Sequence, residues 1–201
     1  MANRALRIPD ARAGAGRGLE GRGVMKGLTY DAGAAAYDSF TGRWSLAFAP
    51  TVLAVAGVTV GQTVLEVAAG TGGLTVMAAS AVRSSGRVIA TDLSLPMLRV
   101  GKGKITGLPV RLVVMDGQDL ACRDRSFDVV ICQLGLMFLP DPRRGLREFR
   151  RVLREHGRLA VQVWSRLWHQ LLGGSRGAVS ENGRLCHREG PTDGATTAGG
   201  C

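Results

Sequence analysis

With 201 residues, the chain can hold one α/β domain but hardly two. Its 45% hydrophobic content and mean hydropathy of +0.09 allow a real core, which the 5% aromatic fraction makes mostly Val, Leu, Ala and Met. No stretch of about 18 apolar residues argues for a membrane span, and the charged N-terminus lacks the apolar run of a secretory signal. The net charge of +10 favours acidic partners only as a tendency. Residues 1–29 supply +4 and residues 165–201 supply +1 of it, both in segments of irregular composition. Nucleic acid is therefore not the expected partner. The four cysteines, Cys122, Cys132, Cys186 and Cys201, form no CxxC pair and no metal-ligand spacing. That pattern suits a reducing cytoplasm, with neither disulfide framework nor metal site expected.

Residues 1–29 are rich in Arg, Gly and Ala without periodicity and are expected to be disordered. Met25 offers an alternative start. From Tyr30 to about Val60 the apolar spacing is helical, through Phe40, Trp44, Leu46, Phe48, Val52, Leu53 and Val55. Pro50 is expected to open a second helix there. Short aliphatic runs then alternate with helical stretches. Strands are predicted at 63–67, 87–91, 110–115, 127–132 and 158–164, and helices at about 73–83, 95–104 and 142–155. Asp141 as N-cap, Pro142 behind it and Gly157 beyond the end mark the last helix. Nearly continuous apolar strands alternating with helices predict a Rossmann-like, doubly wound and mostly parallel α/β sheet spanning residues 30–164. Residues 165–201 read as an irregular tail.

The chemistry concentrates at predicted strand ends. The first strand carries a carboxylate, Glu66, into the turn "AAGTGG" at 68–73. Gly70 and Gly72 let backbone approach a ligand, and the helix N-terminus that follows favours an anionic group. This is close to a dinucleotide fingerprint, but the third glycine position holds Thr75. A buried carboxylate is costly unless compensated, and Glu66 would repel a pyrophosphate. It suits a ligand bearing an amine and a sulfonium. Asp92 ends the second strand, where an acid can accept hydrogen bonds from ribose hydroxyls; capping of the next helix is the plainer alternative. Asp116-Gly117 follows the third strand, where a carboxylate and an uncrowded backbone suit an adenine edge or merely a turn. The fourth strand delivers Gln133.

Taken in order, "VLEVAAGTGGLT", "GRVIATDLSLPML", "DGQDLACRDRSFDVVICQLGLMFLPDPRRGLREFRRVL" and "GRLAVQVW" resemble the class I S-adenosylmethionine-dependent methyltransferases, especially the menaquinone/ubiquinone C-methyltransferase branch. The resemblance covers about 37–164. It implies S-adenosyl-L-methionine as cofactor and a small-molecule methyl acceptor, quinone-like or another metabolite. Glu66, Gly70, Thr71 and Gly72 match the family's first cofactor motif, and Asp92 its ribose-binding acid. Leu93 and Met97 match residues flanking the adenosine, and Asp116 and Gly117 the adenine-side pair. Gln133 matches the position over the methionine end, and Tyr37 an aromatic cover from the N-terminal side.

Three departures stand out. Ala68 replaces a glycine common in relatives, and "REHG" at 154–157 replaces a proline-glycine turn. The family's last helix and final antiparallel strand pair have no convincing counterpart, so the resemblance implies a C-terminally truncated member. A remnant without activity and an NAD(P)-dependent oxidoreductase are the competing expectations. No general base is nameable. His156 reads as a helix C-terminal cation, and His169 and His187 fall in the tail. Arg143, Arg144, Arg147, Arg150, Arg151 and Arg154 share one helical arc, read as the solvated face of an amphipathic helix.

Overall fold

The computed structural model describes residues 33–39 and 41–163. The expected head and tail, and with the tail the matter of the family's final strands, lie outside them, as do Tyr30, Phe40 and Trp164. Five strands form one parallel sheet: β1 (Thr63–Val67), β2 (Arg87–Asp92), β3 (Val110–Val114), β4 (Phe127–Gln133) and β5 (Leu153–Gln162). Their order is β3-β2-β1-β4-β5. The chain winds outward from β1 through β2 to β3, then returns to β4 on the other side of β1. Strand order thus reverses between β1 and β4, where an open α/β sheet leaves a crevice at its carboxyl edge.

Side chains alternate across the sheet. Val64, Val88, Ala90, Val129 and Ile131 join the core beneath α2 (Thr41–Ala56) and α3 (Gly73–Val82). Leu65, Val67, Val130 and Cys132 join the opposite core with Phe149 and Val152 of α5 (Pro142–Val152). A short α1 (Ala34–Tyr37) precedes α2, and α4 (Leu95–Lys102) links β2 to β3. Ser94 caps α4, its hydroxyl accepting from Met97 N, and Asp141 caps α5 by accepting from Arg144 N at 3.0 Å. Capping before β3 therefore falls to Ser94 rather than Asp92.

Strand positions follow the apolar runs closely, but three expectations need correction. Pro50 does not open a helix; it lies inside the 16-residue α2. The helix continues because Ala49, Val52 and Ala56 bury fully enough against the sheet to offset the lost N–H bond. The last helix ends at Val152 rather than 155, because Leu153 is already extended and pairs with Phe127. The next pair of the ladder is Val129 with Arg158, so "REHG" bulges out of the edge strand, and His156 is an exposed bulge residue rather than a helix-terminal cation. Finally, the arginine arc divides. Arg151 is half-buried and donates to Glu148, Asp124 and the carbonyls of Leu120 and Cys122, bracing the 120–124 loop. Arg154 lies beyond the helix and pairs with Asp128.

Two of the four non-glycine residues in the left-handed region among the described residues lie at the crevice. Ala68, just past β1, has φ +59°, and Leu134, just past β4, has φ +56°. A non-glycine residue in the left-handed region costs about 1–2 kcal/mol. Gly135 faces Ala68 so closely that a Cβ on it would come within 2.3 Å of the Ala68 Cβ. Ala68→Gly should therefore relieve strain, partly offset by added freedom of the unfolded chain. The expected outcome is a gain of up to about 1 kcal/mol, or about 2–4 °C in thermal midpoint. A lower midpoint would show that the left-handed Ala68 is not strained.

Candidate active site

The crevice opens into a cavity of about 720 Å³ at the carboxyl end of β1. Glu66, Ala68, Ala69, Gly70 and Thr71 form its floor, Gly73, Leu74, Val76 and Met77 of α3 one wall, and Gly42, Arg43, Ser45 and Leu46 of α2 the other. Tyr37, Asp38, Lys104 and Gln133 complete it. The floor exists because β1 breaks into two left-handed glycines, Gly70 at φ +56° and Gly72 at φ +79°, the latter being the N-cap of α3. α4 packs tightly below, where a Cβ on Gly101 would meet the Thr71 carbonyl at 3.2 Å.

Glu66 is 2% exposed, and its Oε2 has no hydrogen-bond partner among the described residues. Burial pushes its carboxyl up to about 8; the Thr75 hydroxyl opposes this and the Asp92 carboxylate adds to it. Thr75 is near enough to exert that effect, yet its own buried oxygen also lacks a hydrogen-bond partner. Alternation along β1 puts Glu66 on the same face as Val64, toward α2 and α3. A buried carboxyl of this kind is held neutral by desolvation and awaits a donor.

Asp92 is tied into the same turn. Its Oδ2 accepts from Gly70 N at 2.7 Å and its Oδ1 from Ser94 N at 2.8 Å. Across the turn, Thr71 donates to Asp38 Oδ1 at 2.5 Å and Lys104 to Asp38 Oδ2 at 2.5 Å. Burial would raise the Asp38 carboxyl, but the hydrogen bonds from Lys104 and Thr71 outweigh it and hold it below the usual range. These bonds fasten the segment after α1 over the glycine turn. Gln133 Nε2 donates to Ser45 O at 2.8 Å and to Gln162 Oε1 at 2.9 Å, pinning α2 to the sheet.

Of the residues named from sequence, Tyr37, Glu66, Gly70, Thr71 and Gln133 line the cavity. Gly72, Asp92, Leu93, Met97, Asp116 and Gly117 lie outside its walls. Asp92 adjoins it through Gly70, and Met97 is buried against that glycine. Leu93 is 71% exposed. Asp116 closes a turn by accepting from Gln118 N at 2.8 Å, and Gly117 packs on Val67 and Leu139. Asp92 and Leu93 stand at the end of β2, and Asp116 and Gly117 shortly after β3, while Gly72 caps α3 and Met97 lies in α4. Sequence reasoning missed Asp38, Arg43 and Lys104. The apolar spacing read in α2 gave no sign of them, since Trp44, Phe48 and Val55 of that pattern are exposed.

No helix among the described residues is long and apolar enough to cross a membrane, and no described group of His, Cys, Asp and Glu could hold a metal.

The raised Glu66 carboxyl has a pH signature. It ionises near 4.5 when unfolded and near 8 when folded, so the folded state holds the extra proton between those values. Stability from this group is full below about 4.5 and is lost as pH rises to 8. Glu66→Gln should remove that slope. Thermal unfolding of the unliganded variant should exceed wild type by several degrees at pH 8 and converge with it toward pH 5. Parallel pH profiles would contradict the placement of Glu66.

Comparisons with known proteins agree with this architecture. Residues 65–161 match the methyltransferase domain family. Over 89 residues the chain is 38% identical to a demethylmenaquinone methyltransferase of Clavibacter sepedonicus, covering 44% of this chain and 36% of that protein. Over 85 residues it is 41% identical to a ubiquinone/menaquinone biosynthesis C-methyltransferase of Bordetella avium, covering 41% and 33%. The chain thus spans about a third of the length of these curated relatives. Among solved structures, a SAM-dependent methyltransferase from Aquifex aeolicus superposes with a TM-score of 0.60 at 25% identity, covering 67% of this chain and 73% of that one. A methyltransferase from Haloferax volcanii, solved with its Trm112 activator, gives 0.62 at 25% identity, covering 67% and 60%. In its 65–161 match and its sheet order, the chain is similar to the S-adenosylmethionine-dependent methyltransferases and shares their fold.

Proposed function

We propose that this chain binds S-adenosylmethionine along the carboxyl edge of β1, β2 and β3 and serves methyl transfer to a small molecule. The observation that carries the reading is the buried Glu66 oxygen without a hydrogen-bond partner, at the floor of a cavity large enough for a ligand. Such an atom calls for a donor, and a cationic one satisfies it best. The amino-acid end of the cofactor carries such a group. A dinucleotide would bring its pyrophosphate toward the same turn, where it offers Glu66 no cationic donor.

The remaining residues take roles along one line. Gly70 and Gly72 keep the turn free of Cβ atoms, so that backbone can approach the cofactor. Asp92 is held by Gly70 N and Ser94 N at the end of β2, where a carboxylate can receive the ribose diol. Leu93 and Val114, 71% and 47% exposed, offer apolar area to a purine, with Asp116 and Gly117 following β3 in the chain. Thr71 is held by Asp38, Tyr37 covers the N-terminal side, and Gln133 fixes α2 against β4.

When bound, the cofactor would supply a methyl group on a sulfonium sulfur to an acceptor nucleophile. The chain's own contribution is alignment and exclusion of water, which by proximity alone accounts for several kcal/mol of a barrier. Glu66 and its neighbours supply preset charge at that end. The described cavity wall contains no histidine, so any proton the acceptor loses leaves by another route. Quinone-like acceptors are the first to screen, on the strength of the relatives' names, followed by other aromatic metabolites.

Calorimetric titration of the full chain with S-adenosylhomocysteine and, separately, NAD tests the reading. Micromolar binding of the first, weakened by at least about tenfold in Asp92→Ala, with none of the second, is expected. Asp92→Ala should unfold cooperatively, so that the loss reports the site. NAD binding, or no S-adenosylhomocysteine binding by a folded chain, would overturn it.

A further inference from the structure

Across the sheet from the cavity, α5 carries five arginines and one acid. That acid is already taken: Glu148 accepts from Arg151 through both of its oxygens. The other four arginines, at 143, 144, 147 and 150, are exposed. Arg143, Arg144 and Arg150 make no ion pair or side-chain hydrogen bond among the described residues, and Arg147 reaches only exposed Asp141, at 3.7 Å. The basic surface continues past the helix end. Arg125 N donates to Arg151 O at 3.0 Å, and Arg123 and Arg125 are exposed, while Asp124 between them is held by Arg151.

The patch has a definite shape. Gly145, Phe149 and Val152 bury one side of α5. At about 100° per residue, Arg143, Arg147 and Arg150 fall within about 60° of one another on the opposite side, spread over about 10 Å of the axis. Like charges at this spacing repel along the helix. An anionic surface laid against the row removes that repulsion, and a straight row on one helix fits a flat surface.

A second feature stands at the leading end of the row. The short 3-10 turn Leu136–Phe138 precedes α5 and packs on it, since a Cβ on Gly145 would meet Leu139 Cδ1 at 2.5 Å and Leu136 Cδ1 at 3.7 Å. Phe138, at the end of that turn, is 48% exposed. Exposed aromatic area beside arginines is the composition of an interfacial surface: the guanidinium groups meet anionic headgroups, and the ring enters the boundary of the acyl chains. Nucleic acid fits less well. Unpaired bases call for several rings to stack on, and the other exposed aromatic residues among those described, Trp44 and Phe48, lie on α2 across the sheet.

We propose that the outer face of α5, with Phe138 at its leading end, docks the chain on an anionic phospholipid surface. Phe138 and Arg143 follow the carboxyl end of β4, at the sheet edge where the cavity opens, so docking holds that edge near the lipid. The proposal stands independently of the functional reading above.

Sedimentation of the full chain with vesicles tests it, using phosphatidylcholine alone and phosphatidylcholine mixed with phosphatidylglycerol. Binding is expected to the mixed vesicles only, and raised salt should weaken it. A surface arginine contributes roughly fivefold to such binding, so replacing Arg143, Arg147 and Arg150 together by Gln should weaken it on the order of 100-fold. Replacing Arg83, Arg99 and Arg111 by Gln removes the same charge from exposed positions elsewhere and should cost far less. Phe138→Ala should weaken vesicle binding several-fold at fixed salt. The α5 triple variant should unfold and bind S-adenosylhomocysteine as wild type does. Arg143→Gln and Arg150→Gln alone, each expected to lose roughly fivefold, keep the test open if the triple variant does not fold. Equal loss in the two triple variants reduces the effect to net charge and overturns the proposal. Binding to neither vesicle, or to both alike, overturns it as well. So does RNA binding through these arginines without vesicle binding, which would identify a nucleic-acid surface instead.

Discussion

A carboxylate buried at the end of a central strand is the constraint around which the molecule is organised. Glu66 follows Leu65 and precedes Val67, both sealed into the core, and alternation turns it to the α2–α3 face with an oxygen that no described group satisfies. Burying such a group without compensation costs several kcal/mol if it is charged, which is why it is held neutral instead. A fold tolerates that cost where the group has work to do. On the functional reading proposed above, the compensating partner is a ligand that enters through the cavity lined by Glu66.

The rest of the crevice is built to hold that geometry. Left-handed Ala68 and Leu134 flank the point where strand order reverses, and strain of this sort collects at binding edges. Asp92 reaches back to Gly70, so the end of β2 sets the shape of the turn after β1. Thr71 and Lys104 converge on Asp38, so a residue ahead of the sheet in sequence fixes the same turn from above. Gln133 bonds at once to α2 and β5 and closes the frame from the far side. Asp92 and Asp38 thus hold the six-residue turn directly, with Lys104 behind Asp38, while Gln133 ties together the elements around it.

Much of this was readable from the sequence, for identifiable reasons. Strands buried on both faces read as unbroken aliphatic runs, so β1 was predicted at its observed limits and β2 to β4 to within a residue or so. Helix starts at Leu95 and Pro142 follow capping residues that act locally. Tertiary packing overrode local signals elsewhere. Pro50 reads as a helix start, yet its helix is held by burial of Ala49 and Val52. Leu153 reads as helical until its pairing with Phe127 is known. The site divides in the same way. Glu66, Gly70 and Thr71 are contiguous and carry their meaning in their spacing. Asp38, Arg43 and Lys104 gain theirs only when α1, α2 and the end of α4 meet over the turn, which no local spacing encodes.

The central claim is that a cationic ligand satisfies Glu66, and its most direct test is the proton count on binding. Binding of S-adenosylhomocysteine near pH 7, measured calorimetrically in buffers of different ionisation enthalpy, reports protons released or taken up. A carboxyl that is neutral in the free protein and ionised beside the ligand's ammonium should release about one proton, and Glu66→Gln should abolish that release. Equal proton release by wild type and Glu66→Gln, or none by either, would mean that Glu66 does not face the ligand.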